Sequence, residues 1–281
     1  MTSLPKNTDP ATVEGFGREW TAFPQSEADL TDTDRRAMFD SYFAIFPWDL
    51  LPPQSIGADI GCGSGRWAML AARRVGHLHA VDAGAAALSV ARSNLAGFDN
   101  VSFHLASVSA LPFEDGTLDF AYALGVLHHV PETGQAVRDV AAKLKAGAPF
   151  LVYLYYAFDN RSAAYRALWR LSNVVRLVLC RAPYPMQITA TTVIAYLVYW
   201  PIARTAALLD KIGLLPRSWP LKYYRHRALY VMRTDAFDRF CTRLEQRFTR
   251  AQISDMLRVA GFDSIWFSET EPHWVALAIK H

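Results

Sequence analysis

Apolar and polar positions along this chain follow two rhythms. From Ser55 onward, short apolar runs of strand length alternate with longer stretches whose apolar residues recur every three to four positions. The runs at 56–60, 78–81, 101–105, 118–123 and 149–156 read as strands. The stretches 66–75, 84–96 and 132–144 read as helices, the last closed by Gly147. Upstream, 32–46 reads as an amphipathic helix with Thr31 or Asp32 as its cap, broken afterwards by Pro52 and Pro53. The alternation stops after Tyr156 and resumes at 249 with a helix over 249–260, ended by Gly261, and strands at 264–267 and 274–279.

Strands alternating with helices predict an α/β fold with a Rossmann-like, seven-stranded, mostly parallel sheet and helices on both faces. The interruption predicts a mainly helical cap inserted between the fifth strand and the last helix. The expected organisation is therefore an N-terminal lid segment (1–54), a core domain (55–156 with 249–281) and an inserted substrate cap (157–248). Two apolar stretches mark the insert, 167–179 and 193–215. The second includes the run Val193 to Trp200, which Pro201 and Arg204 cut short of the roughly 20 residues a membrane span needs. A buried cap helix is the expectation there, ahead of an interfacial one.

Composition sharpens this picture at two points. The chain is 52% hydrophobic and 20% charged over 281 residues, enough for a full core and unlike a disordered chain. Its charge of +3 is unevenly spread: residues 157–247 hold 15 Lys and Arg against 5 Asp and Glu. A basic insert on an acidic body suggests an anionic partner, unless its arginines are merely solvated. If the chain touches a membrane peripherally, the insert is where it does so. Three scattered cysteines and a polar, signal-free start lead to the expectation of a reducing, cytoplasmic setting. The oligomeric state leaves no trace in the sequence.

The candidate chemistry lies in Ala58-Asp59-Ile60-Gly61-Cys62-Gly63-Ser64-Gly65. Glycines at 61, 63 and 65 directly after a strand let the backbone approach a ligand, and the next helix offers free N–H groups. Asp82, 17 residues beyond Gly65 at the tip of the second strand, is placed to accept from ribose hydroxyls, or else to cap the following helix. A dinucleotide site wants its third glycine where this chain has Arg66. A carboxylate at Asp59 would repel a pyrophosphate but suits the ammonium and sulfonium charges of a cationic amino-acid nucleoside.

With these residues the chain resembles the class I S-adenosylmethionine-dependent methyltransferases, in particular their type 11-like, small-molecule branch that includes the quinone-biosynthesis C-methylases. The resemblance covers about residues 55–156 and 249–280. It implies S-adenosyl-L-methionine as cofactor, with Gly61, Gly63 and Gly65 around its methionine part and Asp82 at its ribose. Asp59, Cys62, Ala83 and Leu124 join the same site, and Ser107 and Val108 lie at the adenine. Ser107 departs from the acidic residue the family often has there. Trp20 resembles an N-terminal lid residue. The segment Leu127-His128-His129-Val130 resembles a substrate-facing histidine pair in which a neutral imidazole serves as base, though one ring can equally pack or cap a helix. No metal site is implied.

On the substrate side, Tyr156, Asp159 and Arg161 follow the carboxyl edge of the fifth strand, and Tyr224 and Arg225 sit in the cluster 222–227. They are candidates for acceptor contacts, against sheet packing for the tyrosine and an internal ion pair for the cluster. The expected activity is O- or C-methylation of a small or lipid-linked, anionic acceptor in secondary-metabolite, glycan or quinone-like biosynthesis. The competing readings are a non-catalytic binding module and an RNA or DNA methyltransferase. The absence of an Asn/Asp-Pro-Pro-Tyr segment after the fourth strand argues against nucleic acid.

Overall fold

In the computed structural model the apolar runs pair into one seven-stranded sheet. Its strands are β1 (Ile56–Ile60), β2 (His77–Asp82), β3 (Val101–Leu105), β4 (Phe120–Leu124), β5 (Pro149–Tyr153), β6 (Phe262–Phe267) and β7 (Val275–Lys280). The helices in chain order are α1 (Pro10–Ala22), α2 (Asp32–Tyr42), α3 (Ala68–Ala71), α4 (Ala85–Asn94) and α5 (Thr133–Lys143). After them come α6 (Ala163–Leu179), α7 (Tyr184–Ile194), α8 (Trp200–Lys211), α9 (Leu229–Cys241) and α10 (Arg250–Val259). The structure describes residues 7–281 apart from Glu27, Arg217, Ser218, Glu271 and His273. The polar start at 1–6, part of the basis for the compartment expectation, lies outside the described residues.

Two compact units divide the chain. The first gathers the described residues up to 26 with Arg35–Asn160 and Leu244–His281; the second gathers Ala28–Asp34 with Arg161–Arg243.

In the first unit the sheet order is β3-β2-β1-β4-β5-β7-β6, with β1 to β5 parallel and β7 antiparallel between β5 and β6. Strand β4, Phe-Ala-Tyr-Ala-Leu, is buried along its whole length, as a central parallel strand covered on both faces must be. The chain order reverses between β1 and β4. The crevice beyond their carboxyl ends is therefore where such a sheet accepts a ligand.

Three elements end three or more residues earlier than the sequence predicts. Strand β5 stops at Tyr153, and Tyr156 forms only an isolated bridge to Phe248. Helix α2 stops at Tyr42; Pro47 disfavours a helical conformation at Phe46, which joins Phe43, Trp48 and Phe120 in an aromatic cluster instead. After the glycine loop only Ala68–Ala71 is α-helical, continued by a tighter turn over Ala72–Arg74.

The second unit is helical. Ala195, Tyr199 and Ala203 pack against Met232, Ala236 and Phe240 of α9. Pro201 does not end the apolar helix as the sequence reading has it. A π-turn over Ala195–Tyr199 makes α7 and α8 one helix of 28 residues, Tyr184–Lys211. The wider turn absorbs the proline's missing donor and the crowding its ring imposes on the preceding turn. Arg176 of α6 is buried and donates to the carbonyls of Thr242 and Arg243 and to Asn173 Oδ1.

Candidate functional site

The two loops leaving β1 and β4 meet at the strand-order reversal. After β1 the backbone turns through positive φ at Gly61 (+75°), Gly63 (+55°) and Gly65 (+78°). The amides of Gly61 and Cys62 donate to Val81 O, which ties the loop to the end of β2. Asp82 then bridges two turns: its Oδ2 accepts from Gly63 N at 3.0 Å and its Oδ1 from Gly84 N at 2.7 Å. Burial pushes the Asp82 carboxyl above its usual range, and these two amides oppose the shift.

A β-carbon on Gly61 would strike Val126 of the β4 loop at 2.4 Å. One on Gly63 would meet the Trp20 ring at 2.9 Å. Helix α1, packed on α4, thus lays Trp20 against the loop. Gly63→Ala is expected to cost about 1–2 kcal/mol of stability, because a left-handed alanine is strained and Trp20 must move. A thermal melt reads the loss, and a fold retained at full stability would contradict this geometry.

Behind the loop, Asp59 is 1% exposed, and neither carboxylate oxygen has a regular hydrogen-bond partner. The β1–β4 register sets it opposite Tyr122, whose hydroxyl is buried beside it. Burial raises the Asp59 carboxyl to about 8, the neighbouring Asp82 adds to this, and Tyr122 and Arg66 oppose it. Cys62 is buried next to both acids, so its thiol is pushed up and stays protonated. Ionising a buried carboxyl that has only a hydroxyl beside it is costly unless a cation pairs with it. The cradle therefore fits a cationic ligand with hydroxyls near Asp82 and not a pyrophosphate.

The other expected cofactor-side residues stand along the same edge. Ser107 and Val108 are buried at the turn after β3, with Ser107 Oγ bonded to Ser109 Oγ at 3.2 Å. Leu124 is buried at the end of β4, and Ala83 is exposed beside Asp82.

The histidine pair forms a short turn after β4. His128 is 0% exposed, and neither ring nitrogen has a hydrogen-bond partner among the described residues. Its ring lies 3.9 Å from those of both His129 and Tyr155. Burial, and then the charges of His129 and Arg247, hold it neutral well below the usual imidazole range. His129 Nδ1 lies 2.7 Å from Leu244 O, and a carbonyl only accepts, so that nitrogen carries the proton.

Several supporting residues escape a reading of the sequence. Gln246 N donates to His128 O, and its side chain donates to Val130 O at 2.6 Å. Arg247 lies 5.0 Å over the Tyr155 ring. Nothing near these positions resembles a motif. Tyr122 had one signal, a hydroxyl in an otherwise apolar central strand.

The candidate acceptor residues are placed differently. Tyr156 packs against Phe158 and Trp274, and Asp159 accepts from Arg250 N and Trp274 Nε1. Arg161, Tyr224 and Arg225 belong to the second unit. There Arg161 stacks on Tyr165, Tyr224 donates to Asp235 at 2.8 Å and Arg225 pairs with Asp210 at 2.9 Å.

Comparison with known proteins adds to this geometry. Residues 58–147 match the family described as a methyltransferase domain. An uncharacterized methyltransferase of Bacillus subtilis, YcgJ, is 35% identical over 104 residues, covering 36% of this chain and 41% of that protein. The ubiquinone biosynthesis O-methyltransferase of Marinobacter nauticus is 33% identical over 100 residues, 34% of this chain and 41% of its own length. The sterol 4-C-methyltransferase strm-1 of Caenorhabditis elegans is 33% identical over 61 residues, 22% of this chain and 18% of its own. The chain thus spans less than half the length of these relatives. Among solved structures, an S-adenosylmethionine-dependent methyltransferase of Thermotoga maritima aligns over 96% of this chain and 100% of its own, with a TM-score of 0.50 and 14% identity. At that identity the likeness is one of fold.

Proposed function

We propose that the chain, whose residues 58–147 match a methyltransferase domain and whose sheet has the class I strand order, transfers the methyl group of S-adenosylmethionine to an oxygen or carbon of a small or lipid-linked acceptor. The observation that carries this reading is the Asp59 carboxyl, buried beside Tyr122 without an ion-pair partner among the described residues, behind a glycine cradle. When bound, the cofactor supplies an electrophilic methyl group on a sulfonium. Asp59 faces its positive charge, and Asp82, fixed by two amides, keeps lone pairs for ribose hydroxyls. Trp20 covers the loop from α1 and helps to exclude water. Ser107 and Val108 stand at the adenine end.

On the acceptor side His128 is the base we assign. It is neutral, held in place by Tyr155 and His129, and has lone-pair capacity that no described residue uses. It takes the proton of a hydroxyl or an acidic carbon as the methyl arrives, and alignment does the remainder. Relatives named for O- and for C-methylation support either acceptor atom.

Calorimetric titration of the full chain is the direct test. S-adenosylmethionine and S-adenosylhomocysteine are expected to bind one per chain, and NAD not to bind. A flat titration with both sulfur ligands overturns the reading.

A further inference from the structure

Helix α6 is amphipathic, and it leaves a long apolar stripe exposed. Ala167, Leu168, Leu171, Val174, Val175 and Val178 fall on one stripe at the i, i+1, i+4, i+7, i+8, i+11 spacing, and every one is exposed. Leu171 is 67% and Val178 68% exposed. The inward side carries Trp169, Leu179 and the buried Cys180 together with Asn173 and the buried Arg176, whose guanidinium donates to Asn173 Oδ1 and to the carbonyls of Thr242 and Arg243. Leaving an apolar stripe of this length in water forgoes the burial that usually places such side chains inside. Contiguous exposed apolar surface of this kind marks an interaction site.

The neighbouring helix Tyr184–Lys211 repeats the pattern. One side, through Gln187, Thr191, Ala195, Tyr199, Ala203 and Ala206, is buried. The other exposes Met186, Val193, Leu197, Val198 and Leu208, with Tyr196 and Trp200 among them. Between Arg181 and Arg204 the sequence has no charged residue. Both helices pack on α9, and α6 also touches the first part of Tyr184–Lys211.

Charge selects the occupant. Residues 161–243 contain 14 Lys and Arg against 3 Asp. Arg170 and Arg181, both exposed, flank the α6 stripe. A second copy of the same face would bring like charge to like charge, whereas an anionic headgroup layer complements it. Tyr and Trp at the edge of an apolar surface are the side chains that prefer the headgroup boundary.

The helix Tyr184–Lys211 is long and apolar enough to cross a bilayer. Its inward side is nevertheless packed on α9, and Arg204 is tied to the carbonyls of Arg225 and Arg227 at 3.1 Å. These ties favour lying in the interface over spanning.

We propose that the α6 stripe and the outward side of Tyr184–Lys211 dock the second unit onto the surface of a bilayer containing anionic lipid. This is independent of methyl transfer and stands or falls without it.

Flotation of the full chain with vesicles tests it, using pure phosphatidylcholine and phosphatidylcholine with phosphatidylglycerol. Binding is expected on the anionic vesicles and to weaken with salt. The pair Leu171→Glu and Val175→Glu is expected to lower the partition coefficient by at least about tenfold, since both apolar contacts are lost. Arg170→Gln alone lowers it about fivefold. These positions are exposed, so unchanged circular dichroism and melting show that the variants still fold. Three results would overturn the proposal: no binding to anionic vesicles, binding that both sets of substitutions leave intact, or a dimer in light scattering that the Glu substitutions dissociate.

Discussion

Asp59→Asn is expected to weaken S-adenosylmethionine binding by about 10²–10³-fold while making the free protein more stable at neutral and alkaline pH. Both effects have one cause. The folded state keeps the Asp59 carboxyl protonated up to about 8, where an unfolded chain releases that proton near 3.8. Between those values the folded state binds the extra proton. Asp59's contribution to stability is thus whole below about pH 4 and declines steadily as pH rises to about 8. Asparagine has nothing to ionise. At pH 8 the variant is expected to melt roughly 5 °C or more above the parent, and the gap to close toward pH 4. The price of that gain is the carboxylate that a cationic ligand requires.

A second consequence concerns the proton itself. If Asp59 is neutral in the free protein and ionised opposite a bound cation, binding at pH 7 releases a proton. Calorimetry in buffers of different ionisation enthalpy reads this directly. In Asp59→Asn the buffer dependence should vanish. An aspartate that binds the ligand without proton release, and an asparagine variant of equal affinity, would place the cation elsewhere.

His128→Phe is expected to slow methyl transfer by about 10²–10⁴-fold with little change in cofactor affinity. Phenylalanine keeps the stacking on Tyr155 and His129 and removes both nitrogens. An imidazole buried without partners costs about 1–3 kcal/mol, so the variant should be at least as stable as the parent. Transfer of labelled methyl from S-adenosylmethionine into a lipid and small-molecule extract supplies the assay. Because His128 stays neutral well below 6.5, the rate should show no acid limb between pH 6 and 7. An acid limb there, with full activity in His128→Phe, would move the base to His129.

The parts of the site readable from the chain are those built within a few consecutive residues. A strand followed by glycines at 61, 63 and 65 dictates its own turn, since the positive φ values need residues without a β-carbon. Asp59 and Asp82 follow from that turn, one residue before it and one at the next strand's tip. The seven strands were legible for the same reason, because period and breakers are local properties. Strand ends were less so: where β5 stops depends on β7, its partner, and the bridge at Tyr156 depends on Phe248.

Other features were decided by segments far apart in sequence. The β1–β4 register puts Tyr122 beside Asp59, and the return of Leu244–Arg247 fixes His129 and crowds His128. Asp159 and Arg225 looked free for a substrate until folding gave them Trp274 and Asp210. The sequence marked 167–179 as an apolar stretch, and only the tertiary packing left its stripe facing outward. The sequence by itself thus determined the sheet and the glycine cradle with its two acids, because backbone conformation is set by near neighbours. Which side chains are sealed from water, which are already partnered and which way an amphipathic helix faces were left to the tertiary structure. Burial and pairing belong to the whole set of segments that meet at a point, and no single stretch of chain carries them.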